Sequence, residues 1–440
     1  MTLKSLLSHS VEAYAAIRAD RRPADATLSD YFRARKYLGS NDRRFISQAV
    51  YDALRQDLAI EAFIHERLSS LSASGELSHA LTMFFSLARK NGDDILAPTS
   101  ELTSVSIETL ARWRARFLAE RENETDLARK HSFPEWATRK LREQFDEAEL
   151  ERLLASLNQE APLALRANAL RVSRDELREK LAAENVATTF GELSPDALLC
   201  DGRRRIFQTE AFKQGLCEIQ DEGSQIISLL LNPKPKSVAL DACAGGGGKT
   251  LHLATLMRNK GKVYAYEKYP KRFGNIRERI KRAGLQNIEL LDGDEKLARF
   301  KAAFGGKVDY ILIDAPCTGS GTLRRNPDLK RRLSPEAVST RAKVQAQILD
   351  DYAPLLKPSG RLLYATCSIF REENEAQAED FLRRNENFSL VPVSQVVEEI
   401  RINADLTRLR ERLKGETFLK LFPHRDGCDG FFAAVFERRS

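Results

Sequence analysis

The sequence predicts an α/β protein whose C-terminal half is a mostly parallel sheet with helices on both faces. A small α+β segment and an all-helical one precede it. Three observations predict this. Apolar runs alternate with helical stretches after residue 216, a strand followed by a helix stands out in 131–215, and only helical spacing appears before 131. The division is therefore 1–130, 131–215 and 216–440, in keeping with 440 residues at roughly 150 per domain.

In 1–130, Phe45, Ile46, Ala49, Val50, Ala53 and Leu54 recur at helical spacing after the polar start Ser40-Asn41-Asp42. The stretch 76–90 is a second amphipathic helix. His65 and His79 stand alone and read as surface or satisfied core residues. The block reads as a helical binding module. In 131–215, Leu163, Leu165 and Ala167 alternate as in a strand, and Ser173 with Glu176 forms a capping box that opens a helix at about 174–184. Short apolar pieces follow at 197–200 and 206–208. From 216 the strand-like runs are 237–242, 262–267, 287–294, 308–316 and 360–367. The runs 418–423 and 430–437 flank HRDGCD and predict a terminal antiparallel hairpin.

Composition narrows the class. The longest purely apolar run, Phe431–Phe436, has six residues, whereas a membrane helix needs about 20. The first twenty residues lack an unbroken apolar stretch and a small-residue cleavage site, so no secretory signal is expected. Six cysteines without a CxxC pair argue against a disulfide scaffold or a zinc site and suit a reducing cytoplasm. The net charge is +7, and residues 211–440 carry about +9 against a slightly acidic middle. A polyanion partner fits this excess, and so does a solvated basic surface. A monomer is assumed by default.

The first chemical motif is VALDACAGGGGKT, residues 238–250. A strand ends at Asp241, a glycine-rich turn follows, and a helix starts near Lys249. Glycines let the backbone approach a ligand and leave N–H groups free at a helix start. A phosphate-binding P-loop would need glycine at position 243, which is Cys243, so that pattern fails. Asp241 before the loop would repel phosphates and suits a ligand with a cationic amino-acid end. A Rossmann-like nucleotide site instead predicts an acidic residue about 20 positions on, at the second strand's end, to hold ribose hydroxyls. Glu267 stands there. Asp294 closes the third run and Asp314 the fourth. Singly, each is a solvated strand-end acid. Four carboxylates along one crevice favour S-adenosylmethionine.

The next motifs are ILIDAPCTGSG (311–321) and LLYATCSIF (362–370), each with a cysteine just past a strand end. Neighbouring fourth and fifth strands open Cys317 and Cys367 into the same crevice. Cys200, Cys217 and Cys428 read as small buried hydrophobes, and Cys243 as a small loop residue. A thiol beside a methyl donor has a specific use. Carbon 5 of cytosine is a poor nucleophile until a thiolate adds to carbon 6. Basic neighbours would lower the thiol pKa. Methylation of an exocyclic nitrogen needs no thiol, and its Asp/Asn-Pro-Pro-aromatic motif is absent, since 314–317 reads Asp-Ala-Pro-Cys.

These residues resemble the RsmB (Fmu/Sun)-type RNA 5-methylcytosine methyltransferase family. DACAGGGGKT resembles its donor loop, DAPC its fourth motif and ATCS its sixth. Residues 220–225 and 429–438 resemble the opening and closing segments of its catalytic domain. HSFPEWATRKL (131–141) and LRANAL (165–170) resemble its RNA-binding lead-in, and 41–55 more faintly its NusB-like helical domain. The resemblance implies a Rossmann-like class I methyltransferase domain behind a small RNA-binding subdomain and a NusB-like domain. It implies Cys367 as the nucleophile and Cys317 in product release, with Asp314 and Lys249 near the target base. The donor site would comprise Cys243, Ala244, Gly245, Gly246, Gly247, Gly248, Lys249, Glu267, Asp294 and Asp314. Two positions depart from the pattern. Ala244-Gly245-Gly246 stands where Ala-Pro-Gly is common, which loosens the turn, and Glu267 stands for the commoner Asp.

The implied reaction is methylation of cytosine carbon 5 in RNA, with small-subunit ribosomal RNA leading and tRNA next. A non-catalytic ribosome assembly factor is the rival from another class, against which both cysteines argue. Arg324, Arg325, Lys330, Arg331 and Arg332, leaving the Cys317 motif, are the candidates for RNA phosphates. Arg166 and Arg171 are weaker candidates, and the basic run 268–282 reads as a solvated helix face. The target base must be unstacked, as in a loop.

Overall fold

The structure, a computed structural model, describes residues 1–20, 22–68, 75–201, 206–402 and 404–440. Two compact units emerge. One comprises Met1–Gln159 with Leu323–Pro335, the other Glu160–Thr322 with Glu336–Ser440.

The first unit is helical. Its centre is the 28-residue helix Ser40–Arg67, whose buried face carries Ile46, Ala49, Val50, Ala53, Leu54, Ile60 and Ile64. Phe84 and Phe85 of helix Gly75–Leu87 and Phe117 of helix Ile107–Glu122 close the same core. The helical region does not stop at 130. Ala59 N–H donates to Ser132 Oγ at 3.1 Å, and the Asn158 amide donates to the His131 carbonyl at 2.6 Å. These long-range bonds draw helices Glu135–Leu141 and Glu147–Leu157 into this unit.

Segment 323–335 also belongs here, and it overturns an expectation. Lys330 is 1% exposed and donates to the Arg55 carbonyl at 2.8 Å and to Asn158 Oδ1. Burial pulls its ammonium down to about 7. Arg331 pairs with Asp57 at 2.5 Å and Glu61 at 2.6 Å. Arg324 is buried, and its carbonyl accepts from Arg55 at 3.3 Å. Arg332 is exposed and pairs with Asp328 at its own turn, and Arg325 is half-buried beside Arg324. The assignment of Arg324, Lys330 and Arg331 to RNA phosphates is therefore corrected, whereas exposed Arg332 and half-buried Arg325 are not removed by burial. Burial and carboxylate partners commit the segment to the helical core.

The second unit holds two sheets. Strands β1 (Leu163–Ala167), β2 (Thr188–Phe190), β3 (Ala197–Cys200) and β4 (Cys217–Ile219) form an antiparallel sheet in the order β2-β3-β1-β4. Helix Arg174–Ala183 carries the expected Ser173/Glu176 capping box and packs Leu177 and Leu181 beneath the sheet. The piece 206–208 is a 3₁₀ turn, not a strand. Arg166 on β1 is 3% exposed, which removes it as an RNA contact.

The larger sheet contains β5 (Val238–Asp241), β6 (Lys262–Tyr266), β7 (Ile288–Leu291), β8 (Val308–Asp314), β9 (Leu356–Thr366), β10 (Phe388–Val391), β11 (Leu419–Leu421) and β12 (Phe431–Arg438). Its order is β10-β12-β9-β8-β5-β6-β7, with β11 also paired to β12. The pairs among β5 to β9 are parallel, and those to β12 are antiparallel. Chain order reverses beside β5, so β5 and β8 flank the crevice at the carboxyl edge where such sheets bind ligands. The expected hairpin is β11–β12. Strand β10, the far edge, was not anticipated: four residues are too short for a clear period.

Candidate active site

The glycine loop follows β5 and leads into helix Gly248–Leu256. Gly245 and Gly247 take φ of +56° and +82°, left-handed values that disfavour other residues. A Cβ at Gly245 would meet nothing nearer than 4.0 Å, so the turn borders open space. Beneath it, Asp241 is 1% exposed and accepts from the Thr250 hydroxyl at 2.6 Å and Cys243 N–H at 3.4 Å. Burial pushes this carboxyl up to about 7. It braces the loop from inside and does not face a ligand.

The loop's carbonyls are held from outside. Arg166 donates to Gly248 O at 2.9 Å, and Arg279 donates to Gly246 O while pairing with Glu218 at 2.9 Å. The sequence suggested RNA for Arg166 and a solvated helix face for Arg279, and did not single out Glu218. Nothing local marks an arginine that binds a carbonyl 82 or 33 positions away.

Glu267, one residue past β6, accepts Gly245 N–H at 2.8 Å on one oxygen and Tyr269 N–H at 2.9 Å on the other. Arg272 lies 3.3 Å away. The Arg272 guanidinium donates to both carboxylate oxygens at that distance, a long contact that an incoming hydroxyl could replace. Asp294 accepts from Tyr266 OH at 3.2 Å and begins helix Asp294–Phe304 instead of closing β7. A glycine turn at a helix N-terminus beside two carboxylates, with open space above, fits a nucleoside whose ribose and base offer hydroxyl and amino donors.

Beyond the loop, Lys249 Nζ donates to Asp314 Oδ2 at 2.7 Å. Burial works against the ammonium, but the Asp314 carboxylate outweighs it and holds the pKa above the ordinary value, with Cys367 contributing in the same direction. The Phe431 ring lies 5.6 Å from Nζ. Parallel pairing sets Asp314 opposite Ala365, so the chain ends past β8 and β9 emerge side by side. There Cys317 Sγ and Cys367 Sγ are 3.3 Å apart. The hydrogen bond with Cys367, together with burial, holds the Cys317 thiol well above the usual range. The other thiols are unreactive by burial: Cys200 is pushed up to about 11, Cys217 to about 12, and Cys243 and Cys428 well above the ordinary value. Lys249, Asp314, Cys317 and Cys367 thus form one cluster, with Glu267 and Asp294 further along the same edge.

The Cys317 loop is built on contacts the sequence did not reveal. Gly321 N–H donates to the Cys367 carbonyl at 2.8 Å, and Gly430 N–H to the Gly321 carbonyl at 2.8 Å. A Cβ on Gly321 would stand 2.3 Å from Gly430 O, so only glycine permits this approach. Glu373 lies beneath both cysteine loops.

Comparison with known proteins follows from this geometry. Residues 228–437 match the family described as 16S rRNA methyltransferase RsmB/F, and residues 133–206 match the ferredoxin-like domain of RsmF/B-like methyltransferases. The chain is 32% identical over 423 residues to the probable ribosomal RNA small subunit methyltransferase B of Synechocystis sp., covering 91% of this chain and 92% of that protein. It is 33% identical over 322 residues to the probable enzyme of the same description from Bacillus subtilis, covering 71% and 68%. Among solved structures, PH0851 superposes with a TM-score of 0.77 at 27% identity, covering 100% of this chain and 99% of that one.

Proposed function

Because this chain belongs to the RsmB/F family of 16S rRNA methyltransferases, we propose that it methylates carbon 5 of a cytosine in small-subunit ribosomal RNA, through a covalent adduct on Cys367. The two thiols 3.3 Å apart at the ends of β8 and β9 carry this reading. Carbon 5 chemistry requires a thiol, and exocyclic nitrogen chemistry has no use for one.

S-adenosylmethionine supplies an electrophilic methyl group. Residues 243–249, Glu267 and Asp294 would hold it, and Asp314, bonded to Lys249 beside the two thiols, would be near both donor and target base. The Cys367 thiolate adds to carbon 6, forming a carbon–sulfur bond and moving electron density onto carbon 5. Lys249, whose charge Asp314 maintains, interacts electrostatically with Cys367. After transfer, a base takes the carbon-5 proton, the electron pair of that bond re-forms the 5,6 double bond, and the carbon–sulfur bond breaks to return Cys367 as a thiolate. Cys317, a protonated thiol at rest, serves this release step.

A second surface suits RNA phosphates. A groove of about 940 Å³ opens between the small sheet and helix Arg272–Ala283. Arg171, Lys213, Lys281 and Arg282 line it with Glu278, and Lys213 pairs with Glu210 and Arg282 with Glu218, which leaves Arg171 and Lys281 as the cations without a carboxylate partner among the described residues. That balance suits a polyanion.

The test uses methyl-labelled S-adenosylmethionine and unmodified small-subunit rRNA with wild type, Cys367→Ala and Cys317→Ala. Wild type should form 5-methylcytosine, Cys367→Ala should form neither product nor adduct, and Cys317→Ala should accumulate a protein–RNA adduct. Exchange of the two mutant phenotypes would reverse the thiol roles. Transfer to tRNA alone would change the substrate. Bound donor and RNA without transfer to either would leave an assembly factor.

A further inference from the structure

Glu373 is 0% exposed and lies in a 3₁₀ turn, Arg371–Glu373, after β9. Among the described residues it has no ion pair. Its two oxygens instead collect four neutral donors. Oε1 accepts Thr318 N–H at 2.8 Å and Gln345 Nε2 at 3.0 Å, and Oε2 accepts the Thr318 and Ser368 hydroxyls, each at 2.5 Å. Thr318 follows Cys317 in the chain, and Ser368 follows Cys367. Gln345 in turn donates to the Pro316 carbonyl at 3.1 Å, on the other side of Cys317.

A fully buried carboxylate without a cation is costly, and it persists only where its hydrogen bonds are complete. This one is complete, and its donors come from the two loops that carry the reactive thiols. No packing need of the core calls for an acid here, since glutamine or an apolar residue would fill the space without burying charge.

We propose that Glu373 is a positioning residue that clamps the Cys317 and Cys367 loops together and so sets the separation and mutual aim of the two thiols. The proposal rests on the reading of both cysteines as reactive groups. Loss of the clamp frees Thr318 and Ser368 to find other partners, and each cysteine moves with its neighbour. A misplacement of about 1 Å costs roughly 100-fold in rate.

The arrangement distinguishes Glu373→Ala from Glu373→Gln. In Glu373→Gln the amide oxygen can take the Oε1 position and keep the two N–H donors. The amide NH₂ then faces two hydroxyls, which can rotate to accept. The clamp survives without its charge.

The test is a short bis-alkylating reagent, dibromobimane, on full-length protein without RNA or donor, with the Cys317–Cys367 bridge located by peptide mapping. Turnover and S-adenosylhomocysteine binding are measured alongside. Glu373→Ala should bridge the pair about tenfold more slowly and lose roughly 100-fold in kcat. KM for RNA and affinity for S-adenosylhomocysteine should stay within about twofold of wild type. Glu373→Gln should restore most of the bridging rate and kcat, which a purely electrostatic role would not. Ser368→Ala, which removes one donor and little volume, should fall between and serves if Glu373→Ala does not fold. Bridging unchanged in Glu373→Ala or Ser368→Ala, or Glu373→Gln as impaired in bridging as Glu373→Ala, overturns the proposal. The bridging readout needs no catalysis. An active Cys367→Ala enzyme would therefore defeat the nucleophile assignment separately from the clamp.

Discussion

Arg331 separates two roles for one basic segment, and replacing it with methionine gives opposite results for each. Its guanidinium is 22% exposed and bonds Asp57, a carboxylate 1% exposed on the central helix of the helical unit. Methionine keeps much of the stem and removes the charge. Asp57 is then a buried carboxylate without its principal partner, a change that costs about 3–5 kcal/mol. Lys330 also faces Asp57 electrostatically and offsets part of the loss, so about 3 kcal/mol is expected, a large share of a stability of about 5–15 kcal/mol. Urea unfolding followed by circular dichroism measures it. Burial already raises the Asp57 pKa, and losing the cation raises it further. Protonation removes the stranded charge, so the deficit of Arg331→Met should shrink from pH 8 to pH 5. Asp57→Asn combined with Arg331→Met should recover most of the loss, because no buried charge is then unpaired. A loss below about 1 kcal/mol, with weaker RNA binding and a shallower salt dependence, would refute the structural role and return Arg331 to the RNA surface.

The donor loop supplies the remaining predictions. Gly245→Ala forces a Cβ into φ +56° and should cost about 1 kcal/mol, read as weaker S-adenosylhomocysteine binding by calorimetry. Gly245→Pro also loses the N–H that bonds Glu267 and cannot reach that φ, so its affinity loss should exceed that of alanine; tighter binding would refute this loop path. Arg166→Ala removes the guanidinium on Gly248 O and should weaken the same ligand about tenfold, with unchanged affinity counting against the bracing role. Burial pushes Asp241 up to about 7 from an ordinary 3.8, so the folded chain keeps a proton that the unfolded chain releases. Stability from this group is full below about pH 4 and is lost as pH rises to about 7. Asp241→Asn, always neutral, should therefore gain in unfolding free energy relative to wild type as pH rises from about 4 to about 7, by at most about 4 kcal/mol. A constant difference would refute it.

What could be read from sequence was whatever a residue's own neighbours encode. β5, β8 and the end of β9 are buried on both faces, so each is a near-continuous apolar run with a visible end. A cysteine one or three positions past such an end is thereby located, and neighbouring strands bring the two together. Charge is different. The run from Arg324 to Arg332 has the composition of a phosphate-binding patch, yet the carboxylate that neutralises Arg331 lies 274 positions earlier. Glu373 was hidden in the same way among Arg371, Glu372 and Glu375, a stretch with the look of a solvated turn. Its donors at 318 and 345 come from other segments.

The loop shows how two apparent weaknesses in a sequence can be one interaction. Glycine at 245 in place of proline seems only to loosen the turn, and glutamate at 267 in place of aspartate seems only to lengthen an arm. Proline has no N–H and is fixed near φ −65°, so it could neither adopt the +56° found here nor donate to a carboxylate. Gly245 does both, and the acceptor at 2.8 Å is Glu267, whose extra methylene carries the carboxylate back to the loop. The turn is thus held by a hydrogen bond between the loop and the end of the second parallel strand, where a proline ring would have held it by covalent restraint. A tether of this kind can yield when a ribose competes for the same oxygen, which a proline ring cannot do. On the proposal that Glu267 takes the donor's ribose, loop order and donor occupancy would be linked through one carboxylate.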